Sequence, residues 1–407
     1  MRSNWLIAPQ RRLGQMGLIV FIILANTIIP FSIDMYTPAV PSLPAYFDTT
    51  AQVVNFTLMG FFLFLTIASL IFGPVSDQFG RKPVLVGSLV AYTAGGVLCA
   101  LAQSIWFLIA ARLVQAMGAG ALMAVSMALV KDCFVEERRE QMIAIIQVLS
   151  VVGPVIAPLI GGFLLNFFDW RASFVALAVF GAVCLAFAVL FEESLPESER
   201  RAGGIGSTIG GLVAVGRNRA FMTLLLMVAL FNVAFSAYLA VGSYIYVDFF
   251  GTTPQEYTYF FAVTAAFTAL GPYIWLKAKA HVTPRKFTHL MIALGFVSAI
   301  LLLAIGESSV FAFCGALILF ATIQSALRPY TTNILLSQQK GDTGAASSLI
   351  GFMISIFGVI GMSVIVMGWP TYIFGIGAVM LICAVLSLAL WVYLLRSPKT
   401  HIKELER

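Results

Sequence analysis

The sequence predicts an all-α membrane protein of twelve transmembrane helices in two six-helix bundles. Three observations predict it. The 407 residues are 60% hydrophobic and only 10% charged, with a mean hydropathy of +0.97, whereas soluble domains carry about 25% charged residues. Apolar runs of about 20 residues, each able to cross about 30 Å of hydrocarbon as a helix, recur along the whole length, and the short alternating segments of a β-barrel do not. The basic residues also sort to one side. Of 24 Lys and Arg, 21 fall in the N-terminus, after helices 2, 4, 8 and 10, in the central linker and in the tail. Arg171 stands alone on the opposite side, and Arg112 and Arg328 lie inside helices. That bias places both termini in the cytoplasm.

The helices are expected at 15–38, 51–74, 83–102, 105–130, 141–165, 171–191, 220–246, 257–276, 287–305, 309–336, 344–366 and 371–395. Helix 1 follows a basic N-terminus with no small-residue cleavage site, so no removable signal peptide is expected. Near its outer end it carries Asp34, with Tyr36, Pro38 and Pro41 just beyond. Between helices 2 and 3 lies GPVSDQFGRKPVL, Gly73 to Leu85. Its charges would each cost several kcal/mol in lipid, and Arg81 and Lys82 assign it to the cytoplasmic surface. Gly73 and Gly80 are expected to permit a tight turn, and Pro83 suits the first turn of helix 3. Asp77 can pair with Arg81 or Lys82, or face the positive N-terminus of helix 11 near Gly344.

Helix 4 carries Arg112 about seven residues from its outer end, roughly 10 Å deep at 1.5 Å per residue. A guanidinium there cannot neutralise itself, so it should find helix carbonyls, Gln115 or Asp34. Helix 5 concentrates Gly153, Pro154, Ala157, Pro158, Gly161 and Gly162, small residues that let helices approach closely. The most hydrophilic stretch, 192–219, is rich in Gly, Ser and charge and divides the chain into an N-terminal bundle (1–191), a cytoplasmic linker (192–219) with a short surface helix, and a C-terminal bundle (220–407) ending in a cytoplasmic tail. A degenerate repeat links the halves: Gly73-Pro74 closes helix 2, and Gly271-Pro272 stands at the equivalent place in helix 8. Paired bundles of this kind enclose a central cavity in secondary transporters.

Three ionisable residues embedded in so apolar a chain, Asp34, Arg112 and Arg328, are functional candidates. A lone carboxylate in low dielectric is suited to taking up and releasing a proton; the competing reading is an aspartate that only caps helix 1 beside Pro38. Arg328, before Pro329 in helix 10, can snorkel or line a cavity for an anionic group. Other polar residues at membrane depth are Asn26, Asn55, Gln147, Asn232, Tyr238, Gln324 and Asn333. With Tyr36, Gln115, Met59, Phe62, Met123 and Phe235 they outline an adaptable cavity for apolar ligands. The five cysteines have no paired spacing and read as small buried hydrophobes, not metal ligands or disulfides. The three histidines have no carboxylate constellation around them, and no nucleotide-binding loop is present, which argues against an enzyme or an ATP-driven pump. No nucleic-acid partner is expected, because the net charge of +6 is loop charge.

The loop GPVSDQFGRKPVL resembles the signature between helices 2 and 3 of the major facilitator superfamily. LIAARLVQAMGAGA (Leu108–Ala121) resembles the family's helix-4 motif, with Arg112 as its buried arginine, and VGPVIAPLIGG (Val152–Gly162) the helix-5 motif of its antiporters. SIDMYTPAVPSLP (Ser32–Pro44) and WRASF (Trp170–Phe174) are similar to bacterial drug:proton antiporters of the bicyclomycin/chloramphenicol-resistance (Bcr/CflA) type. The resemblance implies a major facilitator fold in the bacterial inner membrane, working by alternating access as a monomer. It implies export of small amphipathic compounds driven by protons through Asp34, with no cofactor. It further implies that Arg112 tunes the protonation of Asp34, that Asp77 with Gly73, Gly80, Arg81 and Lys82 latches the cytoplasmic side, and that the helix-5 glycines and Pro154 and Pro158 seal against helix 8. Some antiporters of this type carry a second acid about two turns before the helix-1 aspartate. Here that place is Asn26, which moves the expected substrates from cations toward neutral or zwitterionic compounds. A proton-coupled nutrient importer on the same fold is the rival reading, and a channel is a more distant one.

Overall fold

The computed structural model describes residues 5–8, 10–200, 205–339, 343–397, 400, 402 and 405. Among them, twelve helices are long and apolar enough to cross a membrane, and no strand occurs beyond a single bridge between Leu6 and Phe134. They are α1 (Gly14–Asp34), α2 (Ala51–Phe79), α3 (Arg81–Ala100), α4 (Ile105–Cys133), α5 (Glu136–Leu165), α6 (Arg171–Leu190), α7 (Arg219–Tyr244), α8 (Pro254–Ala278), α9 (Pro284–Ile305), α10 (Val310–Ser337), α11 (Thr343–Ile365) and α12 (Tyr372–Arg396). A short helix, Ile205–Gly216, precedes α7. The protein is a multi-pass membrane protein.

Polar N-caps mark where many of these helices begin. The side chains of Thr50, Ser104, Asn218, Thr283, Ser309 and Thr371 each accept from a backbone N–H of the first turn, as end-capping requires. Thr253 and Glu256 form a reciprocal capping box at α8.

The chain divides into two compact units, Met1–Thr208 and Ile209–Arg407. In the first, α4 packs between α2 and α3, α3 packs on α6, and α1 packs on α5. In the second, α10 packs between α8 and α9, α9 packs on α12, and α7 packs on α11 and α12. The pairings correspond helix for helix, so the faint sequence repeat is a repeat of packing.

Several boundaries depart from expectation. Helix 1 stops at Asp34, not 38. A 3-10 segment, Thr37–Ser42, and the short helix Leu43–Tyr46 follow, because Pro38 and Pro41 cannot donate to a continuing helix. Helix 2 continues through Gly73 and Pro74 to Phe79. Gly73 therefore makes no turn, and a Cβ there would meet only Ala124 at 3.9 Å. The turn between α2 and α3 is Gly80 alone, at φ +100°. Helix 5 begins at Glu136, its first turn holding Glu136 and Glu137 where the helix dipole favours acids. All five cysteines are free and buried.

Candidate functional site

The last carbonyls of a helix lack intrahelical donors, and at the end of α1 three of them are satisfied from three places. Arg112 Nη2 on α4 donates to Ser32 O at 3.1 Å, Thr37 Oγ1 donates to Asp34 O at 2.8 Å, and Ser173 Oγ on α6 donates to Met35 O at 3.3 Å. Arg112 is fully buried. Its Nη1 donates to Gln115 Oε1 at 2.8 Å, and its guanidinium lies 4.1 Å from the Phe61 ring centroid, 5.3 Å from Tyr36 and 5.6 Å from Phe174. A cation here is held by the negative end of the α1 dipole and by ring faces.

Two of the three partners expected for Arg112, a helix carbonyl and Gln115, are present. Asp34 is not one. Among the described residues, no basic side chain lies within 4 Å of its carboxylate, although the residue is only 4% exposed. Asp34 therefore sits on the same helix end as the arginine without pairing with it. Tyr36 is sealed beside it, its hydroxyl bonded to Thr57 at 2.7 Å, and Ser32 shares a 2.6 Å bond with Tyr92. Ser32, Thr57, Phe61, Tyr92 and Phe174 were not legible as site residues. Only Ser32 and Phe174 fell within quoted motifs, and each is individually an ordinary buried residue.

Asn26, two turns before Asp34, donates to Ile22 O at 2.8 Å and accepts from Ser126 at 3.3 Å. Met59 and Phe62 are half-buried on α2. Asn55 is buried, whereas Gln147, Asn333 and Met123 are exposed.

Within the first unit, Gly153 and Gly161 of helix 5 face α1. A Cβ on Gly153 would come within 2.6 Å of Pro30, and one on Gly161 within 1.9 Å of Met35 O. Gly162 and Pro158 are buried on the same helix and Pro154 is half-buried. The glycines let α5 lie directly on the end of α1 that carries Asp34.

In the second unit, Asn232 on α7 gathers two α10 residues. Its Oδ1 accepts from Gln324 Nε2 and from Arg328 Nη2, both at 3.0 Å. Its Nδ2 is anchored to Ile354 O on α11 at 2.8 Å and to Ser236 at 3.3 Å. Tyr238 is buried nearly two turns on, with Phe235 at 6.2 Å and Phe261 at 6.2 Å between ring centroids. Arg328 is exposed. Sequence reasoning named all three members of this cluster but not their convergence.

A third group surrounds Gly80. Arg81 pairs with Asp77 at 2.5 Å and with Asp132 at 2.8 Å, and donates to Ser76. The Glu193 carboxylate accepts from the backbone N–H groups of Arg81 at 2.9 Å and Lys82 at 3.0 Å, an anion at a helix N-terminus. The Lys82 ammonium donates to Val189 O. Of the two partners considered for Asp77 on its own loop, Arg81 is the one found. Asp132 and Glu193, which the sequence did not single out, tie this loop to the ends of α4 and α6.

Comparison with known proteins gives a consistent picture. The family model described as Major Facilitator Superfamily matches residues 22–362. The chain is 26% identical to an uncharacterized MFS-type transporter, YdgK, of Bacillus subtilis (strain 168), covering 88% of this chain and 90% of that one. It is 24% identical to a bicyclomycin resistance protein homolog of Haemophilus influenzae, over 67% of this chain and 69% of that one. The solved structure of a D-xylose-proton symporter matches its fold with a TM-score of 0.70 at 14% identity, covering 95% of this chain and 99% of that one.

Proposed function

The chain belongs to the Major Facilitator Superfamily, and from that premise we propose that this transporter is a drug:proton antiporter of the bicyclomycin-resistance type, exporting small amphipathic compounds. It acts in the bacterial cytoplasmic membrane, with both termini inside, as a monomer cycling by alternating access. The similarity to a bicyclomycin resistance protein homolog supports the export reading. The observation that carries it is Asp34: a buried acid at the end of α1 with no cationic partner among the described residues. Such a carboxyl group is free to exchange a proton instead of holding a permanent ion pair.

In this mechanism an outside proton neutralises Asp34, the units change their exposure, and loss of the proton inward accompanies outward movement of the compound. Arg112 is kept apart from the acid by its own bonds to Ser32 and Gln115. Its role is to hold the α1 terminus in place while Asp34 changes charge. The Gly80 cluster, with Asp77, Arg81 and Lys82, acts as the cytoplasmic latch. Asn26, Met59, Phe62, Phe235 and Arg328 supply the substrate surface, with Asn232 and Gln324 behind Arg328; Tyr36, Gln115 and Tyr238, expected there from the sequence, are too buried to touch a compound.

The test uses the purified full chain in proteoliposomes with an imposed pH gradient. Lumenal pH is followed on adding chloramphenicol-like, cationic and zwitterionic compounds to wild type and Asp34→Asn. Compound-dependent proton movement present in wild type and lost in the variant supports the proposal. Equal movement in both removes Asp34 from the mechanism, and proton movement with the opposite coupling sense favours an importer.

A further inference from the structure

The two arginines at membrane depth are held in opposite ways. Arg112 is walled in, with its guanidinium bonded to a carbonyl and an amide and covered by three rings. Arg328 is exposed, and among the described residues its guanidinium makes a single hydrogen bond, to Asn232, and no acidic side chain lies within 4 Å. A guanidinium offers five donors in a planar fork. Most of that capacity here has no protein acceptor.

The direction of its side chain argues against the ordinary explanation of such a residue, snorkelling to the membrane surface. Arg328 stands nine residues before Ser337, the last residue of α10, about 14 Å at 1.5 Å per residue. Its side chain also turns toward α7, the span with the largest buried share at 78%, and not outward to lipid.

The platform beneath it is built. Asn232 is 8% and Gln324 4% exposed. The Asn232 carbonyl oxygen already accepts from both Gln324 and Arg328, and its amide is fixed to Ile354 O and Ser236. Its acceptor is thus shared, and the exposed Arg328 keeps its remaining guanidinium donors without a protein acceptor among the described residues. Phe235, three residues beyond Asn232 on α7, is half-buried. A planar cation with free paired donors matches a carboxylate.

We infer that Arg328, oriented by Asn232 and Gln324, binds a carboxylate of the transported compound, so that the substrates are amphipathic acids or zwitterions and not lipophilic cations. This rests on the export reading above and names its substrate class.

The test is equilibrium binding to the purified full chain in detergent, which requires neither proton coupling nor a direction of transport. The probes are matched pairs: dansylglycine and dansyltryptophan, each against its uncharged methyl ester, followed by dansyl fluorescence. Wild type should bind the acid of at least one pair about ten- to hundredfold more tightly than the ester, the range of a hydrogen bond to a charged group. Arg328→Gln should abolish the preference and leave ester binding unchanged. Gln324→Glu, which places an internal carboxylate beside the guanidinium at nearly constant volume, should abolish it too, and covers the case in which Arg328→Gln does not fold. A wild type that prefers no acid over its ester, or a preference surviving in both variants, overturns the inference. Because Asp34→Asn should keep the preference, failure of the antiport reading and failure of this one are separable.

Discussion

Arg112 is the residue on which the first unit turns, and its chemistry is not exchangeable. The planar group fits between the Phe61, Tyr36 and Phe174 rings while donating in two directions. A lysine ammonium has neither the plane nor the fork. Arg112→Lys should leave Ser32 O or Gln115 Oε1 without a donor, a loss of about 1–3 kcal/mol for a buried polar group. A lower apparent melting temperature in detergent checks this, and an unchanged one would show that the guanidinium geometry is dispensable. The sequence made Arg112 visible, because a charge is rare at membrane depth. Gln115 and a helix carbonyl were legible as its acceptors; that the carbonyl is Ser32's was not, because every residue has one. Asp34 was visible for the same reason as Arg112; of the alternatives open to the arginine, the structure uses the carbonyl and Gln115 and leaves Asp34 aside, since equal depth on neighbouring helices does not guarantee contact.

At the scale of elements, the repeat has a counterpart in close backbone approach. A Cβ on Gly161 of α5 would lie 1.9 Å from Met35 O, and one on Gly361 of α11 would lie 2.0 Å from Val233 O. Both obstacles are backbone, so neither can swing aside. Gly161→Ala and Gly361→Ala should each destabilise their unit by about 1–3 kcal/mol, the usual range for overpacking. Gly87→Ala on α3 is the control: nothing lies within 4 Å of the added carbon, and a helical alanine gains about 0.5–1 kcal/mol over glycine. Melting of the three variants side by side should lower the first two and not the third. Small residues in α5 were legible, but the helix they face was not, since a glycine's spacing carries no record of its neighbour. Helix existence was legible throughout because hydropathy over 20 residues is a strong signal. Ends were not: Gly73-Pro74 has the composition of a turn yet lies inside α2.

For the molecule as a whole, the charge bias makes the most direct prediction. With 21 of 24 basic residues on one face of the pattern, a reporter fluorescent only in the cytoplasm should light up at either terminus, and one active only outside should stay silent. A signal from the outside reporter at one end would mean an odd number of crossings. The paired packing of the two units also explains why the fold class could be read early: six helices repeated twice need only the hydrophobic period and the position of the linker. What each unit does with its polar residues depends on side chains meeting across helices, and a linear sequence records those meetings weakly.

The five cysteines have one further consequence. All are free and all are buried, so their sulfurs are shielded from water-soluble thiol reagents. The natural chain is thus close to a blank background for site-directed labelling. A single cysteine introduced on the surface of each unit would carry a spin label or dye with little competing signal. The separation between two such labels, followed as protons and candidate compounds are added, would read the transport cycle in the unaltered native core.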